Sequence, residues 1–250
     1  MAASVLVTAV APEARAEDCS ERFVPDRPGA TYGHTTVGAG CLHIEAAADV
    51  TRSPGNTNLG FPSIVRMGLV QPLELRLSHS IVGIDVPDDG DTEVSAAPVG
   101  LEVKWMALEA EGRHPGLGVM FGAFAPANSD FGDQITPVFT WLTDWSFADG
   151  FGYSLNLIGS VPPVEGGLRA ARFDYGTVLS AGIPVPGDWL TLFVDAAGGS
   201  ASRDDQWAQK VGAGVIFLVA SNLQLDASFD VVVTGDEHPV RAGVGIAWRL

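Results

Sequence analysis

The last thirty residues limit most strongly what this chain can become. From Leu223 to Val231 the side chains alternate strictly, with Leu223, Leu225, Ala227, Phe229 and Val231 on one face and Gln224, Asp226, Ser228 and Asp230 on the other. A period of two is a β-strand with one apolar and one charged side. Val240 to Leu250 repeats it, setting Val240, Ala242, Val244, Ile246 and Trp248 against Arg241, Gly243, Gly245 and Arg249. The pair reads as a hairpin whose apolar face meets lipid and whose small or charged face looks into a barrel.

The same period runs back through the chain. A first strand, about Gly38 to Val50, puts Leu42, Ile44, Ala46 and Ala48 opposite Cys41, His43, Glu45 and Asp49, and Thr51 to Asn58, with Pro54 and Gly55, reads as a loop. A second, about Leu59 to Val70, places Arg66 opposite Phe61, Val65, Met67 and Leu69. A third, Leu73 to about Ile84, alternates Leu73, Leu75, Leu77 and Ile81 with Glu74, Arg76, Ser78 and Ser80, and an acidic loop follows from Asp85 to Ala96. Further strands are expected over Val99–Met106, Leu117–Phe124, Phe139–Phe147, Phe151–Leu157, Phe173–Ile183, Leu190–Ala196 and about Trp207–Val219. With the final hairpin this predicts an all-β, antiparallel transmembrane barrel of about twelve strands, each of the roughly 9 to 13 residues that cross a bilayer at a tilt.

Turn chemistry orients the barrel. Gln71-Pro72, Asp149-Gly150, Pro186-Gly187-Asp188 and Ser221-Asn222 are short connections, whereas those after the first, third, fifth, seventh and ninth strands are expected to be long. Short periplasmic turns and long external loops are the pattern of outer-membrane barrels. Trp145, Phe147, Phe151, Tyr153, Trp189 and Trp248 fall near the short-turn end, where an aromatic girdle belongs. Phe61, Phe173, Tyr175 and Trp207 begin strands at the other end.

Composition excludes other classes. The net charge is −16 and Lys104 and Lys210 are the only lysines, so no basic surface exists to neutralise phosphates, and no nucleic acid is expected as partner. No charge-free stretch approaches the roughly 18 to 20 residues a membrane-spanning helix needs, so any membrane crossing runs through strands. Residues 1–16 read as a signal peptide, apolar from Ala2 to Ala11 with Ala14-Arg15-Ala16 before Glu17, although the usual positive start is missing. Residues 17–36 are rich in Pro, Gly and charge and read as a periplasmic or lumen-plugging segment, leaving 37–250 for the barrel.

With these elements in place, the sequence resembles a bacterial outer-membrane transporter family associated with meta-pathway phenol degradation. The matching runs are Asp26-Arg27-Pro28-Gly29, Pro62-Ser63-Ile64-Val65-Arg66-Met67-Gly68-Leu69, Leu73-Glu74-Leu75-Arg76-Leu77, Asn222-Leu223-Gln224-Leu225-Asp226-Ala227-Ser228 and Ala242-Gly243-Val244-Gly245-Ile246-Ala247-Trp248-Arg249. They span most of the mature chain, though each is short. The resemblance implies an outer-membrane barrel that carries small, often hydrophobic compounds. The chain departs from the pattern in ending on Trp248-Arg249-Leu250 where barrels commonly finish on an aromatic, and both cysteines lie outside the matching runs.

Chemistry-bearing motifs are sparse. His34, His43, His79, His114 and His238 show no metal-ligand spacing, and no nucleophile elbow, phosphate loop or dinucleotide fingerprint is present, so neither metal, cofactor nor catalysis is expected. In Ser78-His79-Ser80 adjacent residues point to opposite faces of a strand. Asp88-Asp89-Gly90-Asp91 reads as a solvated acidic loop. The inward charges say more: Glu45, Arg66, Glu74, Arg76, Glu102, Lys104, Asp195, Asp226, Asp230 and Arg241 all lie opposite the apolar face. A charge facing lipid at midplane costs about 2–4 kcal/mol, which explains the parity without deciding whether the lumen is an open solute path or is filled by paired charges.

Cys41 shares the lumen parity of His43, and Cys19 lies 22 residues upstream, close enough along an extended tail for the sulfurs to meet. Two readings stand: a disulfide in an oxidising compartment that folds the tail into a partial plug, or two free thiols on an extended tail. The function expected is an outer-membrane channel for small, hydrophobic or aromatic molecules. The alternatives are a closed structural or adhesive barrel and, less favoured, an outer-membrane hydrolase. Expected partners are outer-membrane lipid, the barrel-assembly machinery and a small-molecule solute.

Overall fold

The computed structural model describes residue 19 and residues 23–96, 98–112, 114–126, 135–148, 150–163, 169–183, 189–200 and 208–250. The expected signal peptide at 1–16, the turn residues Asp149 and Pro186-Gly187-Asp188, and Trp207 lie outside these residues.

Thirteen strands run in chain order: β1 (Leu42–Ser53), β2 (Asn56–Val70), β3 (Leu73–Pro87), β4 (Glu93–Ser95), β5 (Val99–Leu108), β6 (Gly116–Ala125), β7 (Thr136–Ala148), β8 (Phe151–Ser160), β9 (Arg172–Gly182), β10 (Leu190–Ser200), β11 (Ala208–Ala220), β12 (Leu223–Val232) and β13 (Val240–Arg249). Each of the twelve long strands pairs antiparallel with its neighbours, β3 meets β5, and β1 closes the ring on β13. The short β4 folds back on β3 through Gly83↔Ser95 to Asp85↔Glu93, outside the ring. The result is the expected closed, twelve-stranded all-β barrel.

Burial is inverted relative to a water-soluble sheet. Arg66, Arg76 and Lys104 are among the largest fully buried side chains, while Phe229, Val244, Ile246 and Trp248 are exposed on the outer wall. Such an exterior is stable only in lipid. At the short-turn end Trp145 stacks near Tyr153 with ring centroids 5.5 Å apart, and Trp189 stacks on Phe217 at 6.1 Å. No described helix is long and apolar enough to cross a membrane.

Three expectations change. The connection after the first strand is not a long loop: Thr51–Ser53 and Asn56–Asn58 extend the ladder through Ser53↔Asn56, leaving only Pro54 and Gly55 as the turn. Proline presets its φ and Gly55 takes the positive φ of 77° that a two-residue reversal requires. The acidic segment after the third strand is shorter than expected, since β3 continues to Pro87 and β4 lies within it. The first strand starts at Leu42 rather than Gly38, because residues 37–40 still belong to a chain arriving from inside the barrel, where Ala39 bridges Gly68 and the Gly40 amide donates to the Gly68 carbonyl at 2.9 Å.

Candidate functional site: the filled periplasmic half of the lumen

Residues 23–40 travel once around the inner wall near the short-turn end. The Asp26 amide donates to Glu45 Oε1 on β1 at 3.1 Å, and the Arg27 carbonyl accepts from Gln224 on β12 at 2.8 Å. Arg27 lies 3.6 Å from Asp226. At Gly29, whose φ is +116°, a Cβ would sit 3.2 Å from Val178 of β9, so the turn there suits glycine. The Ala30 amide meets Asp195 on β10. Asn156 on β8 grips Tyr32 twice, accepting from its amide at 2.6 Å and donating to its carbonyl at 3.0 Å. His34 follows, with its amide and its Nδ1, 2.7 Å away, both on Asp144 of β7. Val37 donates to Glu74 of β3 at 2.8 Å, and the chain then passes into β1.

The glycines of the wall make this passage fit. A Cβ at Gly176 would run into the Ala30 carbonyl, and one at Gly68 into the Gly38 carbonyl. Cys19 and Cys41 are disulfide-bonded with Cα atoms 5.7 Å apart, which ties the start of the segment to the foot of β1. Phe23 packs edge-on to His43 at 4.6 Å, with the Arg249 guanidinium 5.6 Å from its ring centre.

Inside the circuit, one carboxylate gathers three cations. Asp26 pairs with Arg76, lies 3.2 Å from Lys104 Nζ and 3.6 Å from Arg66 Nε, and accepts from the Gly33 amide at 2.9 Å. Arg66 in turn holds Glu74 through two bonds of 2.9 and 3.0 Å and Glu45 at 3.0 Å. Arg76 also donates to Glu74 at 3.1 Å, lies 3.8 Å from Glu102, and stacks 4.8 Å from the centre of the Tyr32 ring. Burial alone would raise the Asp26 carboxyl, but Arg66, Lys104 and Arg76 outweigh it and hold the group far below its ordinary value of 3.8. Burial pushes the Tyr32 phenol up, with Arg76 opposing.

Of the ten inward charges expected from sequence, the structure gathers Glu45, Arg66, Glu74, Arg76, Glu102 and Lys104 around Asp26, and seats Asp226 and Asp195 against Arg27 and Ala30 of the same segment. Asp230 and Arg241 stand apart in the external half, where Arg241 bonds Asp230 at 2.6 Å and reaches Asp49 at 3.5 Å, with Lys210 3.8 Å from Asp230. Sequence reasoning missed Asp26 as the hub and Asp144, Asn156 and Gln224 as clamps. Its one signal for Asp26 was the Asp26-Arg27-Pro28-Gly29 run, which parity cannot interpret in a segment without periodicity.

A closed antiparallel barrel with an apolar exterior, an aromatic girdle and a polar, ion-paired interior is a porin-like barrel of the bacterial outer membrane. Residues 25–250 match the model of the family described as "Putative MetA-pathway of phenol degradation", and the chain belongs to that family. Among solved structures it is similar to an outer membrane channel from Pseudomonas putida F1, at 12% identity and a TM-score of 0.62, covering 94% of this chain and 100% of that one. It is also similar to the NanC porin, at 8% identity and a TM-score of 0.61, covering 83% and 100%. The KdgM porin in complex with disordered oligogalacturonate matches at 7% identity and a TM-score of 0.54, covering 82% and 98%. Comparison with curated proteins returns no match.

Proposed function

We propose that the protein is a passive outer-membrane channel for small apolar or aromatic molecules, with residues 23–40 as a removable occlusion of its periplasmic half. The observation that supports this most is the relation of segment to wall. The segment is no part of the barrel ladder apart from the single Ala39–Gly68 bridge, and it is held by side chains of β1, β3, β7, β8, β10 and β12, so it can leave without breaking the barrel. Family membership and the channel folds it resembles point the same way.

The closed structural barrel is the second reading, favoured by the complete burial of Arg66, Arg76 and Lys104 in a filled lumen. We assign no catalysis: Ser78 Oγ is engaged with Glu102 at 3.3 Å, and His79 lies on the other face of β3. The test is entry of an apolar naphthylamine dye into cells whose lipopolysaccharide leaflet is intact. Expression of the protein is expected to speed dye entry above that of cells lacking it; equal rates would favour the structural barrel.

A further inference from the structure

Arg76 and Glu102 oppose one another in the β3–β5 ladder, yet their side chains do not bond. Arg76 Nη1 is drawn to Asp26 and, at 3.1 Å, to Glu74, while Glu102 Oε2 accepts from Ser78 Oγ at 3.3 Å. Arg76 Nε therefore stops 3.8 Å from Glu102 Oε2. Nε and Nη2, which together form the side-on fork of the guanidinium, are buried and donate to no acceptor among the described residues. The whole Arg76 side chain is closed to solvent. Charged donors buried in this way carry a desolvation cost that an acceptor would remove.

Two aromatic rings stand beside this fork. Tyr32 of the occluding segment places the centre of its ring 4.8 Å from the guanidinium carbon of Arg76. One rung further toward the external end, Ser78 opposes Gly100 and Gly100 opposes Phe124. A Cβ on Gly100 would lie 2.4 Å from the Phe124 ring and 2.7 Å from Ser78 Oγ, so it is the missing side chain that lets both lie against the inner wall. Tyr32 and Phe124 are half-buried, whereas Arg76 beneath them is not exposed at all. A polar pair at the base and two apolar faces beside it make the surroundings of the fork amphipathic.

We propose that Arg76, Glu102, Tyr32 and Phe124 form a binding site, at the base of the external half of the lumen, for a small apolar molecule that carries one hydroxyl group. This rests on the channel reading above and names the solutes it favours. The hydroxyl oxygen accepts from the Arg76 fork and its hydrogen is donated to Glu102. Arg76 Nε and Glu102 Oε2, 3.8 Å apart, both come within a hydrogen-bond distance of about 2.8 Å of one oxygen set between them. The apolar body lies against the rings of Tyr32 and Phe124, a gain that water meeting the same two polar groups does not have. A plain hydrocarbon leaves the fork and the carboxylate unmet. A carboxylate has no hydrogen for Glu102, and it adds negative charge where Arg66, Arg76 and Lys104 already face Asp26, Glu45, Glu74 and Glu102.

The test observes the fork itself. In the full-length protein with isotope-labelled arginine, the Arg76 Nε–H resonance is assigned by its contact with the Tyr32 ring and by its loss in Arg76→Lys. Cyclohexanol is expected to shift it saturably, while methylcyclohexane and cyclohexanecarboxylate at the same concentration leave it in place. Glu102→Ala removes the acceptor while Asp26 and Glu74 still hold Arg76, and is expected to weaken cyclohexanol binding about tenfold or more. Phe124→Ala, which touches none of the ion pairs, is the second variant and is expected to weaken it roughly fivefold. A resonance that cyclohexanol does not move, that all three compounds move alike, or that the carboxylate alone moves overturns the proposal. So does unchanged affinity in Glu102→Ala, or in Phe124→Ala should the first variant not fold. Each of these results leaves the channel reading in place, because that reading is judged by dye entry: a wild-type protein that shows the cyclohexanol shift yet gives no dye entry overturns the channel and keeps the site.

Discussion

Replacing Asp26 with asparagine keeps the shape of the hub and removes its charge. Three cations, Arg66, Arg76 and Lys104, then face one another with Glu45, Glu74 and Glu102 as their remaining counter-ions, and none of the three is exposed to water. Removing one partner from a buried ion network costs about 3–5 kcal/mol. At about 1.4 kcal/mol per decade, the undocked population of the segment rises by roughly two to three and a half decades, about 100- to 4,000-fold. The Cys19–Cys41 bond still tethers the segment, so the expected signature is frequent flickering to a higher single-channel conductance rather than a fixed open state. Labelling of Ala30→Cys by a soluble maleimide, measured in the same background, is expected to accelerate in step. Unchanged conductance together with unchanged labelling would show that Asp26 is not what holds the segment, and would refute the hub argument.

Other perturbations act on the same device by different physics. Gly176→Ala puts a methyl against the Ala30 carbonyl, and Gly68→Ala does the same to Gly38, so each is expected to raise conductance in planar bilayers while the heat-modifiable barrel persists. Loss of the Cys19–Cys41 bond, which closes a loop of sequence separation 22, is expected to weaken docking by about 3 kcal/mol, read as faster labelling of Ala30→Cys when both native cysteines are changed to serine than when they are kept and bonded. The pH response follows from a carboxyl held below its ordinary value: its contribution is fully present above that value and is lost only as pH falls well beneath it. Closed-state conductance is therefore expected to stay flat between about pH 8 and about pH 5, and opening in that window would contradict the buried Asp26 cluster.

Much of the wall was legible because strand parity needs no knowledge of neighbours. Leu225 and Phe229 face out and Asp226 and Asp230 face in, and any other assignment would put charge into lipid. That Arg66 and Glu74 come together was equally readable from the short connection at Gln71-Pro72, although the bulge between Gly68 and Val70, which shifts the register by one and sets Arg66 opposite Arg76, was not. Two kinds of feature were not. At the external rim, Thr51–Ser53 and Asn56–Asn58 looked like loop because they lack the apolar face, yet above the hydrocarbon layer a strand has no lipid side to mark. The path of residues 23–40 was illegible for a deeper reason. It has no period of its own, and its conformation is dictated by partners such as Asn156 and Gln224 that lie more than a hundred residues away.

The most direct test of the account is the conductance of a chain lacking residues 17–36, compared with wild type in planar bilayers after a heat-modifiable gel shift has verified that both are folded barrels. The account predicts a larger, steady conductance and faster liposome swelling for the shortened chain, because the lumen loses the segment that fills its periplasmic half. A folded barrel that remains as closed as the wild type would contradict it.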